Sequence, residues 1–121
     1  MLNVNEIYKP IQIDIDNEVS DDGFFSLGFT FNFDNSIVPH NIGICRDIIE
    51  NPNFLYIEPD DQVYGFNTKE ARCSIDGCVL TLTLLDNNKF YWNGSKSISI
   101  ELDENNIDDV MLCLNSIFDD L

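Results

Sequence analysis

Three features of the sequence predict an α+β fold, an antiparallel or mixed sheet of about six strands with a carboxy-terminal helix packed on one face. Segments that alternate apolar and polar residues recur between Ile11 and Leu102, as strands with one wet face require. Clusters of Asp, Asn, Gly and Pro punctuate them, and one apolar stripe at helical spacing closes the chain. At 121 residues, with no repeat, low-complexity tract or Gly/Ser/Pro linker, residues 1–121 are expected to form a single domain around one core.

In chain order, Ile11, Ile13 and Ile15 alternate with Gln12, Asp14 and Asp16, predicting a strand whose acids face water. After the polar stretch Asn17 to Asp22, residues 24–33 alternate again, with Phe25, Leu27, Phe29, Phe31 and Phe33 on one side of a central strand that a turn at Asp34-Asn35-Ser36 ends. Ile42, Ile44, Ile48 and Ile49 fit neither period, so only a short strand over 42–46 is expected there, followed by an irregular turn ending at Asn51-Pro52-Asn53. Phe54 to Ile57 is a short apolar strand that Glu58-Pro59-Asp60-Asp61 stops, and a loop through Gln62 to Phe66 follows. Residues 69–75 and 78–85 read as a hairpin joined by Asp76-Gly77, with Leu80, Leu82 and Leu84 facing the core. Lys89 to Gly94 is a short extended piece ending in an Asn-Gly turn, and Ser97 to Leu102 is the last strand. Ile107, Val110, Met111, Leu114, Ile117 and Phe118 form the helical stripe, with Asn106 as N-cap and Asp108 and Asp109 in the first turn, where negative charge suits the helix dipole.

Composition narrows the function. Asp and Glu number 22 against 6 Lys and Arg, for a net charge of -16. Such a surface repels phosphate backbones and anionic lipid, so direct nucleic-acid and membrane binding are disfavoured and a basic protein partner is favoured. The plainer reading is that excess acid only keeps the protein soluble. The amino terminus lacks the basic start and apolar core of a secretion signal, and no apolar run approaches the roughly 20 residues of a membrane span, so the cytoplasm is the expected location. Self-association is left open by the sequence. Cys45, Cys73, Cys78 and Cys113 show no metal-ligand spacing; in a reducing compartment they are buried apolar side chains, although Cys73 and Cys78 flank the predicted hairpin turn and a disulfide between them is the alternative.

No constellation for catalysis stands out, and a non-enzyme without cofactor or metal is expected. His40, the lone histidine, sits in a loop-like Val38-Pro39-His40-Asn41 with no nucleophile motif. The glycines are scattered and form no phosphate loop. Asp14 to Glu18 resembles a calcium loop only until Val19, where an EF-hand requires glycine. Glu58, Asp60 and Asp61 read as an acidic turn rather than a divalent-ion site.

The densest feature is Tyr56 to Phe66, which places acids beside aromatics as protein-recognition surfaces do. Glu58, Asp60, Asp61, Gln62 and Tyr64 are therefore the candidate partner-binding residues, against the plainer reading of core aromatics beside an ordinary turn. Here the sequence resembles the immunity proteins of bacterial polymorphic toxin systems, specifically the family numbered ten. The likeness lies in Leu55-Tyr56-Ile57-Glu58-Pro59-Asp60-Asp61-Gln62, continues through residues 79–85 and 98–102, and ends on Leu114-Asn115-Ser116-Ile117-Phe118. It implies a protein that binds and neutralises a cognate toxin domain in the cytoplasm of the producing cell, and it brings no catalytic residues. The alternative is an acidic mimic of nucleic acid that inhibits basic proteins nonspecifically.

Overall fold

The computed structural model describes residues 7–16, 23–33, 38–92 and 94–118. The polar stretch Asn17 to Asp22, the turn at Asp34 to Ser36, and Asn93 lie outside them.

The α+β class and the terminal helix are as expected, and the described strands number nine, divided between two sheets. The five-stranded sheet runs, in spatial order, β2 (Gln12–Asp16), β3 (Phe24–Thr30), β4 (Asn41–Asp47), β5 (Leu55–Pro59) and β6 (Phe66–Thr68), all antiparallel. The four-stranded sheet runs β1 (Ile7–Tyr8), β9 (Ser97–Glu101), β8 (Val79–Leu84) and β7 (Ala71–Asp76), with β1 parallel to β9. One helix of 11 residues cannot cover so much apolar strand surface, so the sheets and the helix share one core. Leu27, Phe29, Ile44 and Ile57 from the first sheet meet Leu80, Leu82 and Ile100 from the second. Helix α1 (Ile107–Ile117) adds Val110, Cys113, Leu114 and Ile117, and packs on β3, β2 and β4.

The chain crosses between the sheets after Thr68, and a polar staple holds the crossing. The Thr68 hydroxyl donates to Asp86 Oδ2 at 2.5 Å, and Asn88 donates through its backbone N–H to Asp86 Oδ1 and through its side chain to the Asn67 carbonyl.

Several expectations are corrected. Ile11 and Ile15 are exposed because β2 is an edge strand, and only Ile13 reaches the core. Phe33 is 82% exposed: past the Thr30↔Asn41 end of the ladder with β4, Phe31 is still buried, and the inward alternation goes no further. β4 is a full central strand whose third inward position is Arg46, a charged residue that hides the alternation of Ile42 and Ile44. The hairpin loop is Gly77-Cys78, one residue later than expected, closed by Asp76↔Val79 with Gly77 at φ +63°. Residues 89–92 form no strand. Asn106 does not cap α1 with its side chain, which instead accepts from the Asp103 N–H at 3.1 Å.

All four cysteines are free. Cys73 lies opposite Leu82 while Cys78 sits in the turn, so the two are not cross-strand partners. Burial pushes the Cys73 thiol up to about 12 and the Cys113 thiol up to about 11, and burial followed by the neighbouring Glu58 charge raises Cys45. Thiolates are the species that alkylate. Iodoacetamide at mildly alkaline pH is therefore expected to label exposed Cys78 first, with Cys73 slower by on the order of a thousandfold until the protein unfolds. Mass spectrometry of partial digests reads the order, and equal rates at the two positions would contradict it.

Candidate functional site

Residues directly opposite each other in an antiparallel pair point to the same face. On the face of the five-stranded sheet turned away from the core, Asp14 is paired with Gly28, Gly28 with Gly43, and Gly43 with Glu58. This row crosses four strands, a span of roughly 14 Å at ordinary strand spacing. A carboxylate stands at each end and bare backbone lies between, so the row is a trough. Its depression has a volume of about 270 Å³, with Thr30, Asn41 and Cys45 also on its walls. An apolar hollow of about 310 Å³ adjoins it beyond Cys45 and Tyr56, where Phe24 and Phe54 project.

The two glycines carry information because nothing in the fold demands them. Neither has a positive φ. A methyl group at Gly28 would come no closer than 3.9 Å to the Asp14 Cβ, and one at Gly43 no closer than 4.0 Å to the Glu58 carbonyl, so a Cβ fits at either position. Glycine inside a strand costs about 0.5–1 kcal/mol and marks places where another backbone or a ligand comes close.

At one end of the trough, the five residues singled out from the sequence take different places. Glu58 is the trough's end wall and accepts from the Tyr56 hydroxyl at 2.9 Å. That hydrogen bond, then burial, raises the Tyr56 pKa. The Tyr56 ring lies over Gly65, where an added Cβ would fall 2.6 Å from Cζ and collide with the hydroxyl. Glycine there keeps the loop docked beside the sheet face. Asp61 is exposed, and its carboxylate accepts from the Gln62 N–H at 2.6 Å to cap the single 3-10 turn Gln62–Tyr64. Gln62 and Val63 project into solvent, and Tyr64 stacks on Tyr91 with ring centroids 3.7 Å apart.

Asp60 is the organiser of the loop. It adopts φ +61°, a conformation that short Asp and Asn side chains tolerate. Its Oδ1 accepts from the backbone N–H groups of His40 at 2.6 Å and Asn41 at 3.2 Å, and its Oδ2 accepts from the Tyr91 hydroxyl. The His40 ring nitrogen Nδ1 stands 3.8 Å from the same carboxylate. Burial, and then the bond to Asp60, raises the Tyr91 pKa. Asp60→Asn is expected to cost about 1 kcal/mol at neutral pH, because the Tyr91 hydroxyl loses its charged acceptor. A tyrosine pKa above its unfolded value contributes stability that is complete below about pH 10 and is lost as pH rises through the folded value. The variant and the parent should therefore converge in stability at alkaline pH, with Tyr91 titrating earlier in the variant; an unchanged Tyr91 titration would contradict this.

Sequence reasoning missed the aromatic ladder beside this loop. Buried Phe90 stacks on Trp92 at 4.8 Å, Trp92 meets Tyr91 edge-on at 5.5 Å, and Tyr91 carries Tyr64. The signal was the run Phe90-Tyr91-Trp92, three consecutive aromatics that alternation cannot bury together. Sequence reasoning also missed Asp14 and the two glycines, which become one row only when β2 to β5 pair in register.

No family model, curated protein or solved structure matches the chain. Among the described residues, no group of three His, Cys, Asp or Glu side chains is placed to hold a metal, and no helix is long and apolar enough to cross a membrane. What the arrangement offers is a glycine-floored trough with carboxylate ends, flanked by an apolar hollow and a rim of exposed tyrosines.

Proposed function

We propose that this chain is a protein-binding inhibitor, an immunity protein that docks on a basic toxin domain in the cytoplasm and occludes it, without chemistry of its own. The observation that carries the reading is the Asp14-Gly28-Gly43-Glu58 row, a backbone-floored trough that the fold does not require. A cationic side chain or strand of the partner would lie along it, with the carboxylates at its ends as counter-charges. Phe24, Phe54 and Tyr64 would supply the apolar anchors from which tight binding comes. Asp61 and Gln62 would form the rim, and the charge of -16 would steer the encounter with a basic surface. The likeness to immunity proteins around residues 55–62 agrees with this picture. The same net charge also supports the second reading, a nonspecific acidic mimic of nucleic acid.

One experiment separates the two. The tagged protein is tested against the product of the gene immediately upstream of its own, where the gene for a cognate toxin is expected, by pull-down and then calorimetry at low salt and at about 0.5 M salt, where charges are screened beyond roughly 4 Å. One-to-one binding that survives high salt is the expected result, because buried anchors are little affected by screening. Binding that disappears entirely in salt would identify the mimic, and no binding at either salt would overturn this choice of partner.

A further inference from the structure

The outer edge of β7 pairs with no strand among the described residues. The Leu85 N–H donates to the Glu70 carbonyl at 2.6 Å, so Glu70 turns its backbone groups toward β8, and alternation turns those of Ala71, Cys73 and Ile75 outward. The core is also unfinished at this edge. Ala71, Cys73 and Ile75 are half-buried, whereas Leu84, Leu82 and Leu80 opposite them are at most 1% exposed. A groove of about 730 Å³ runs between β7 and α1, with Leu85, at 52% exposure, and Met111, at 44%, on its margins. Edge, open core and groove together fit one more strand.

The sequence of β7 complements itself in one register. About a two-fold axis at Ser74, antiparallel pairing sets Arg72 opposite Asp76 of the partner subunit and Cys73 opposite Ile75 of the partner subunit. Opposite charges then meet on the outer face and apolar side chains on the inner face. Each Cys73–Ile75 pair would exchange its outward backbone hydrogen bonds. Shifting by one residue opposes inner to outer side chains; of the next allowed registers, the one about Cys73 sets Asp76 opposite Glu70 of the partner subunit, a like-charge pair, and the one about Ile75 sets Arg72 opposite Cys78 of the partner subunit and so loses the charge pairing. Two of the chain's six cations, Lys69 and Arg72, line this groove and thin the negative charge where a second copy would approach.

We propose that β7 joins β7 of a second copy of this chain, antiparallel about Ser74, so that the two four-stranded sheets become one and the partner's edge closes the groove beside α1. The proposal is independent of which protein the trough binds.

Sedimentation equilibrium of the full chain at physiological salt, over roughly 1 μM to 1 mM protein, is the test. A concentration-dependent dimer is expected. Arg72→Asp and Asp76→Arg each convert two opposite-charge pairs into like-charge pairs by symmetry, and each should raise the dissociation constant about tenfold or more. The double variant exchanges the charges and should return to near the parent value. Monomer throughout the range, singles that leave dimerisation unchanged, or a double variant as weak as the singles would each overturn the proposal.

Discussion

Replacing Arg46 with alanine is expected to lower the stability of the fold by about 3 kcal/mol, the largest loss we predict for one side chain. Arg46 is 5% exposed on the inner face of β4, a position where every neighbour in the strand's alternation is apolar. It is held there by the end of α1. Its Nη1 donates to the Ile117 carbonyl at 3.2 Å and its Nη2 to the Pro52 carbonyl at 2.8 Å. The last carbonyls of a helix lack partners within the helix and carry a partial negative charge, and the last turn of α1 contains no basic residue of its own. Arg46 thus supplies, from across the core, the cation and the donors that the helix sequence omits. Alanine would strand the buried Ile117 carbonyl, take the donor from the part-buried Pro52 carbonyl, and open a cavity. Arg46→Lys should recover at most about half the loss, since one ammonium cannot repeat a two-armed bridge. Urea denaturation gives the value directly, and a loss below about 1 kcal/mol for the alanine variant would mean that the bridge is incidental.

Arg46 also shows why some of the architecture was legible in the sequence and some was not. β3, β8, β9 and α1 carry unbroken alternation or a full helical stripe, and their places follow from that pattern alone. β4 carries the same alternation with a guanidinium at one inward position, and its role is visible only when the helix end stands opposite. β1 and β6 span two and three residues, too few for any period to register. The division into two sheets depends on the crossing at Lys69-Glu70 and its Asp86 staple, which join segments far apart in sequence. The loop at Glu58 to Tyr64 was legible as an unusual mixture of acid and aromatic. Composition could not distinguish Asp60, whose carboxylate is engaged inside the loop, from Asp61, which faces solvent.

If the proposed partner docks on the trough, function and folding can be separated in a single substitution. Gly28→Val and Gly43→Val each place a β-branched residue, which strands favour, at a position with an ordinary backbone conformation where an added Cβ makes only ordinary van der Waals contact. Each variant is therefore expected to fold as well as the parent or to gain up to about 1 kcal/mol, because glycine's excess freedom in the unfolded chain is removed. The same branched side chain fills the floor between Asp14 and Glu58, and a partner group seated there must withdraw by the depth of the side chain. A loss of roughly a hundredfold in affinity for the protein bound in pull-down is expected from either change, as close packing at the centre of an interface is lost. Glu58→Gln provides the contrast: it keeps the shape, removes one end charge, and should slow association several-fold with a smaller effect on dissociation. Stability that rises while binding falls would locate the partner on this face. Valine variants that bind as tightly as the parent would move the interface off the trough, leaving the tyrosine rim and the acidic loop as its remaining anchors.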